Sequence, residues 1–336
     1  MGHVSNEIVK KKPSRIYLSW VPYSCQSQTI AQNFEAEPIY FRYLAGKKNV
    51  PKAILRYLLM TFHTIGLILW RRPKLVFAMN QPIFLPLTLL PLSKLTGVKY
   101  VIDSHSGLFN KPQWCWSLPI MKHAYRHSLF SIVTNQYHRK LIESWGTRVE
   151  VIGAVSVGDE PAEPFNRRAD PSLVVIGTFA KDEPTAEIIE ACRHLPHVQF
   201  YITGPLKYAL PRLVKNAPNN VIFTDFLPRP KYVGLVQAMD GAIILVKNDH
   251  VMQMGAYEAM SWKVPIITSD WPVLRENFYR GAIFVDNSLE NIIQAVHELL
   301  KKLDHYKAEI IKMHQEHREM WDKKIAEVNS LIARNV

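Results

Sequence analysis

Residues 241–270 read Gly241-Ala-Ile-Ile-Leu-Val-Lys-Asn-Asp-His-Val-Met-Gln-Met-Gly-Ala-Tyr-Glu-Ala-Met-Ser-Trp-Lys-Val-Pro-Ile-Ile-Thr-Ser-Asp270, and the fold follows from them. Gly241 to Val246 is an apolar run of strand length, and Lys247 to His250 is a polar break. A helix opening near Gln253 follows, and Val264 to Thr268 is a second β-rich run. Strand, helix and strand at this spacing make one βαβ unit, whose strands lie parallel. The same rhythm extends outward, with strands expected at Leu173–Ile176, Gln199–Thr203, Val221–Phe223 and Ile283–Val285. It recurs earlier at Arg15–Val21, Lys74–Met79, Lys99–Ile102, Ser131–Thr134 and Val149–Ile152. Between the two series, Gly158 to Pro171 turns polar and proline-containing, as interdomain linkers do. The pattern predicts an α/β protein of two Rossmann-like domains, 1–157 and 172–305, joined by a linker at 158–171. After Ser288, apolar positions Ile292, Ile293, Val296, Leu299, Leu300 and Leu303 recur at helical spacing. The more charged residues 306–336 are expected to continue as one or two helices packing across the domain junction, the alternative being a solvated helical tail.

The 336 residues exceed what one hydrophobic core usually organises, which agrees with two domains. With 48% hydrophobic and 21% charged residues, the chain is neither disordered nor of low complexity. Cys25, Cys115 and Cys192 are too few and too scattered for a disulfide framework or a zinc ribbon. The net charge of +12 favours phosphate-rich partners: nucleotides, nucleic acid or an anionic lipid surface. No ribonucleoprotein motif, zinc knuckle or homeodomain-like helix is present, so no nucleic-acid partner is expected. Lys10, Lys11 and Lys12 precede no apolar stretch of the secretory kind, and a cytoplasmic location is expected. Leu75 to Leu92 is apolar but broken by Asn80, Gln81, Pro82, Pro86 and Pro91, which excludes a membrane span there. Ala53 to Trp70 carries Arg56, His63 and Thr64 and reads as a helix lying on the protein, either packed on the core or touching lipid.

In open α/β sheets, ligands collect beyond the carboxyl ends of the strands, so the loops there carry the chemistry. In the second half these are Gly177–Glu183, Gly204–Leu206, Asp225–Pro228 and Lys247–His250. The stretches YITGP, NNVIFTDFLP and GAYEAMSWKVPIITSD within them resemble the carboxyl-terminal half of family 4 glycosyltransferases of the GT-B fold. The resemblance spans roughly residues 173–290, with a looser match around Tyr100-Val-Ile-Asp-Ser-His-Ser-Gly107. It implies two Rossmann-like domains with a cleft between them, a sugar nucleotide held by the second and an acceptor by the first.

By that resemblance, Glu258 matches the second glutamate of the E-x7-E signature and accepts hydrogen bonds from the donor ribose; as a surface glutamate it would have no such role. Backbone around Gln253 and Met254 cradles the diphosphate, with Gly204 in a neighbouring loop. Phe226 and Leu227 stand where the chain meets the nucleobase. His250 occupies the place of the first signature glutamate. In the family's G-R-x-x-x-x-K-G loop Gly177 is kept, but the basic positions become Thr178 and Glu183, so Lys181 or Lys247 would supply the cation for the departing phosphate. This altered loop resembles that of dolichol-linked mannosyltransferases, which points to a lipid-linked acceptor. His105 resembles the family histidine near the anomeric carbon. Asp103, two residues earlier, would be the general base of an inverting reaction. Ser27 and Gln28 would line the acceptor side, although Ser27 also reads as a helix N-cap. His123 and His127 lack a third ligand, and no Asp-x-Asp element is present to hold a metal.

The resulting expectation is a metal-independent, cofactor-free, retaining transferase that uses a UDP- or GDP-type sugar. Its acceptor is a lipid-linked or polymeric glycan, and it works at the anionic inner face of a membrane. A non-catalytic basic module recruiting partners at a membrane or nucleic acid, and a sugar-nucleotide epimerase, are the alternatives.

Overall fold

The computed structural model describes residues 14–21, 25–41, 43, 50–105, 107–110, 114, 116–153 and 160–336. Pro22 to Ser24, Arg42, Lys47, Lys48, Ser106, Cys115 and the start of the expected linker lie outside the described residues. The chain divides into two compact units, Met1–Gly153 with Lys324–Val336, and Ala154–Lys323.

The first unit runs β1 (Arg15–Ser19), α1 (Cys25–Asn33), β2 (Glu37–Tyr40), α2 (Val50–Arg71), β3 (Leu75–Met79), α3 (Phe84–Thr96), β4 (Lys99–Asp103), α4 (Gly107–Asn110), α5 (Leu118–Arg126), β5 (Ser131–Val133), α6 (Gln136–Glu143) and β6 (Val149–Val151). Its six strands are parallel and ordered β2-β1-β3-β4-β5-β6. Both faces of such a sheet are covered, which is why β3 is buried at every position and reads as a continuous apolar run. β2 departs from that rule. As an edge strand of sequence Glu-Pro-Ile-Tyr it is only half-buried, and it gave no strand signal in the sequence.

The second unit runs β7 (Ser172–Val175), α7 (Thr185–Arg193), β8 (Gln199–Thr203), α8 (Pro211–Lys215), β9 (Val221–Asp225), α9 (Arg229–Gln237), β10 (Gly241–Ile244), α10 (Met254–Ser261), β11 (Ile266–Ser269), α11 (Pro272–Asn277), β12 (Ala282–Val285) and α12 (Leu289–Lys301). Its strands, again parallel, are ordered β12-β11-β10-β7-β8-β9. The expected α/β class with two Rossmann-like domains therefore holds. Ser288 caps α12, its hydroxyl accepting from the Asn291 amide.

One boundary differs from the sequence expectation. Residues 160–171 do not hang free as a linker but are fastened to the second unit. The Glu163 amide donates to Pro230 carbonyl at 3.0 Å, Arg167 pairs with Asp240 at 2.7 Å, and the Arg168 amide donates to Tyr201 Oη at 2.8 Å. The charged tail is a single 33-residue helix, α13 (Leu303–Asn335), whose last turns from Lys324 group with the first unit. There Lys324 pairs with Glu150 at 2.6 Å and Asn329 Nδ2 donates to Asn33 carbonyl at 3.2 Å.

Candidate active site

Strand order locates the ligand crevice of the second unit. From β7 the chain moves outward through β8 and β9, then returns to place β10 on the other side of β7. The connections leave in opposite directions at the β7 and β10 ends, and such a switch point is where α/β sheets bind ligands. Ile176 and Gly177 leave β7 there, and α10 begins beside them. Its Gly255 lies so close that a Cβ would stand 2.6 Å from Ile176 Cγ2. The first turn of α10, from Met254, thus opens at the switch point, where unpaired amides and the positive end of the helix dipole favour an anion. Gln253 precedes it in extended conformation and makes no side-chain cap; its Oε1 is enclosed without a hydrogen-bond partner.

The loops around this point are fixed to one another. Gly204 has φ of +113°, and a Cβ on it would lie 2.6 Å from Gly177 carbonyl, so the loops after β7 and β8 meet only because glycine stands there. Asp225 Oδ1 accepts from the Leu206 amide at 2.9 Å and joins the loops after β8 and β9; amide bonds from Leu206 and Phe226 hold its carboxyl below its ordinary pKa. Beyond it the Phe226 ring is exposed and Leu227 is half-buried. Past β10, Val246 carbonyl accepts from Trp271 Nε1 and Asn287 Nδ2, both at 3.0 Å.

The altered phosphate loop has a definite structure. Glu183 turns back over Gly177, and its carboxylate accepts from the Thr178 amide at 3.0 Å, Thr178 Oγ1 at 2.8 Å and the Ala180 amide at 3.2 Å. Amides converging this way form an anion cradle, and here a carboxylate of the chain itself fills it. Lys247 pairs with Glu187 at 3.2 Å, and its amide donates to Asp182 carbonyl at 2.7 Å. Lys181, Lys247, Thr178 and Glu183 line one open concavity of about 800 Å³. His250 adopts φ of +62° and faces Asp249, 3.5 Å from Nδ1 to the carboxylate.

Glu258, one turn into α10, is buried and already engaged. Its Oε1 accepts from Arg229 Nη1 at 2.5 Å and its Oε2 from Tyr232 Oη at 2.6 Å. Arg229 also forks onto Glu160 with two bonds of 2.6 Å and lies over the Trp262 ring at 5.2 Å. Burial works against its charge, but the Glu160 hydrogen bond and the Glu258 carboxylate hold the guanidinium firmly ionised. Burial first and Glu258 second raise the Tyr232 phenol well above its usual range. Each oxygen of Glu258 keeps a further lone pair for a ligand hydroxyl. Arg229, Tyr232 and Glu160 were not legible as site residues, because nothing local marks Arg229 and Tyr232, one turn apart on α9, as partners of Glu258 and Glu160, which lie 29 and 69 residues from Arg229.

In the first unit, β4 ends at Asp103 and His105 follows it, partly exposed. Asp103 is fully buried. Its Oδ2 accepts from Tyr17 Oη at 2.5 Å and lies 3.2 Å from His105 Nε2, while Oδ1 has no partner. The expected general base is therefore enclosed, and what its engaged oxygen does is orient the His105 imidazole. Burial disfavours the His105 cation, but attraction to Asp103 outweighs it and raises the pKa. The buried Asn80 fixes the backbone of His105 on both sides: its Oδ1 accepts from the His105 amide at 3.0 Å and its Nδ2 donates to the carbonyl at 3.1 Å. In the sequence Asn80 showed only as a polar break in an apolar run. Ser27 is buried within α1, two residues past its start, so it is not the N-cap; its hydroxyl lies 3.1 Å from Tyr17 Oη and donates to it, since the single phenol proton goes to Asp103. Gln28 is half-buried and accepts from Tyr40 Oη at 3.1 Å.

Residues 170–302 match the family described as Glycosyl transferases group 1. The chain is similar along nearly its whole length to solved structures at low identity. Sucrose-phosphate synthase of Thermosynechococcus elongatus shares 14% identity over 95% of this chain and 98% of that one, with a TM-score of 0.73. A glycosyltransferase of Rickettsia africae shares 12% over 97% and 100%, at 0.69. HepE of Anabaena, solved with UDP and glucose, shares 12% over 92% and 99%, at 0.65. No curated protein sequence matches the chain. The likeness over the whole chain defines a class of fold, the two-domain GT-B architecture of these structures. Within it, the second unit of this chain carries the match to the glycosyl transferases group 1 domain.

Proposed function

We propose that the chain moves a sugar from a nucleoside diphosphate sugar of the UDP or GDP type to a hydroxyl of a lipid-linked or polymeric glycan. The reaction proceeds with retention and without a metal ion, at the cytoplasmic face of an anionic membrane. One observation carries the donor assignment: α10 opens at the switch point of the second sheet with Glu258 one turn further on, offering amides for a diphosphate and a carboxylate for a ribose. HepE, solved with UDP and glucose, supports it by shared fold. Lys181 and Lys247 are the cations on the adjoining concavity, and they offset charge as the phosphate leaves.

In the retaining step the bond from C1 to the phosphate oxygen breaks while the acceptor oxygen bonds C1 on the same face, and the acceptor proton passes to the leaving phosphate. No protein carboxylate need lie at C1, which suits a chain with His250 where a glutamate is usual. His105, oriented by Asp103, offers its other ring nitrogen to a sugar hydroxyl.

The test is thermal stabilisation by UDP, GDP and their sugars, followed by transfer to a lipid-linked glycan. One nucleotide should raise the melting temperature, by mass action on the folded state. No stabilisation by any nucleotide would overturn the assignment, and product formation without an acceptor would make the protein an epimerase.

A further inference from the structure

The positive charge of the chain is concentrated in its first part. Residues 1–153 hold 20 Lys and Arg against 6 Asp and Glu, whereas residues 154–336 hold 21 against 23. The excess belongs away from the donor-binding unit. Residues 50–105, which include α2 and α3, carry seven basic side chains and one acid, the buried Asp103.

α2 is long and apolar enough to cross a bilayer, but one face of it is committed to the fold. Met60, Thr64, Leu67 and Ile68 are buried, and Thr64 Oγ1 accepts from Trp20 Nε1 at 3.2 Å. A helix anchored to a water-soluble sheet along that face cannot also be surrounded by lipid. On the opposite face Leu55, Leu58, Leu59, Phe62, Leu69 and Trp70 follow helical spacing, and all are exposed, Phe62 by 68% and Trp70 by 65%. Single exposed apolar residues are ordinary, whereas a continuous stripe of them marks a contact surface. Beside it α3 ends on Leu95, 82% exposed, and an apolar groove of about 500 Å³ is walled by Ile65, Leu69, Phe84, Pro91 and Leu95.

Charge identifies the partner. Lys52 and Arg56 stand at one end of the stripe, the exposed Arg72 at the other beside Arg71, which pairs with Glu37 at 2.7 Å, and Lys94 adjoins Leu95. Basic residues at both ends suit a helix lying flat, with long side chains reaching up to phosphate headgroups. A protein partner would need an acidic rim around an apolar centre; an anionic bilayer offers both layers along the full length of the helix.

We infer that α2 is an in-plane membrane anchor: its exposed stripe sinks among the acyl chains of an anionic bilayer, and the groove beside α3 takes one hydrocarbon chain. This deepens the membrane association proposed above and rests on it. Basic residues alone would give binding that salt abolishes, whereas a buried stripe gives binding that survives salt.

Flotation with vesicles of phosphatidylcholine, with and without phosphatidylglycerol, tests it on the full chain. Wild type should float with the anionic vesicles at low and at high salt. Phe62→Ser with Trp70→Ser, both at exposed positions, should lower the partition coefficient at high salt by about tenfold or more. Circular dichroism and nucleotide-induced thermal shifts unchanged from wild type confirm that the variant is folded. Complete release of wild type by high salt, or wild-type partitioning of the variant, overturns the insertion while leaving electrostatic association standing. No binding to any vesicle overturns both and leaves sugar transfer untouched. A dimer that the double variant dissolves, without vesicle binding, assigns the stripe to a second copy of the chain and overturns the proposal.

Discussion

Glu258→Gln separates the two demands placed on that carboxylate. The substitution keeps shape: the amide oxygen still accepts from Arg229, and the amide nitrogen can face Tyr232 Oη. What disappears is the charge. Arg229 retains its two bonds to Glu160, and its side chain is 36% exposed, so the fully buried penalty does not apply. The loss of stability should be about 1–2 kcal/mol, lowering the melting temperature by about 2–8 °C. Nucleotide binding should suffer separately. A hydrogen bond from a hydroxyl to a charged acceptor is worth about 1.5–3 kcal/mol, so the Kd for UDP should rise roughly 10- to 150-fold. Calorimetric titration with UDP and with 2′,3′-dideoxy-UDP distinguishes a ribose contact from a general distortion. In wild type the dideoxy compound should bind more weakly by that factor, and in Glu258→Gln the two should bind alike. If the variant weakens both ligands equally and wild type does not discriminate between them, Glu258 serves only the Arg229 network, and the ribose assignment is refuted.

Asp103→Asn should reverse the perturbation of His105. In wild type the raised pKa means that the pair stabilises the fold fully below the histidine's unfolded pKa and loses that contribution as pH rises through the folded value; in the variant burial alone acts and lowers the pKa, as an NMR titration of the imidazole would show. His317 behaves oppositely: burial, then His314, lowers it to about 4. Its contribution is intact above pH ~6.5 and is lost towards pH 4 as the unfolded chain takes up a proton first, about 3 kcal/mol in all. His317→Leu should therefore flatten the acid limb of a stability-against-pH curve, and an unchanged limb would exclude this histidine as its source. Glu183→Gln removes a negative charge from the loop after β7, which the proposed function sets beside the donor diphosphate, and should tighten UDP binding by about fivefold, roughly 1 kcal/mol; weaker binding would show that the closed loop is itself required.

How much of this was legible in sequence depended on whether a single local pattern determined it. Buried parallel strands such as β3 and β10 are apolar throughout, so their positions could be read within a residue or two. The edge strand β2, with its proline and glutamate, carries no such constraint and was invisible. Residues 160–171 look like a linker because they are polar and proline-rich, yet polarity there reflects ion pairing, with Arg167 on Asp240 and Glu160 on Arg229. Composition cannot distinguish a solvated charge from a paired one.

The candidate site divides along the same line. Helix openings and glycine approaches are backbone features, so Gly204 and the start of α10 could be placed from spacing and from resemblance to the family. What the side chains do there depends on partners distant in sequence. Glu258 read as a ribose acceptor, but Arg229 and Tyr232, one turn apart on α9, hold it before any ligand arrives. Asp103 read as a base, but Tyr17 and His105 both converge on its one engaged oxygen behind the surface. In each case a carboxylate legible as chemistry is first a member of a buried network. Such networks fix orientation in advance, which lowers the reorganisation needed when a substrate binds. Tyr17→Phe should leave the fold standing yet loosen His105, raising KM or lowering kcat without displacing the nucleotide. Loss of UDP affinity in that variant, measured by the same titration, would show instead that the two networks are coupled.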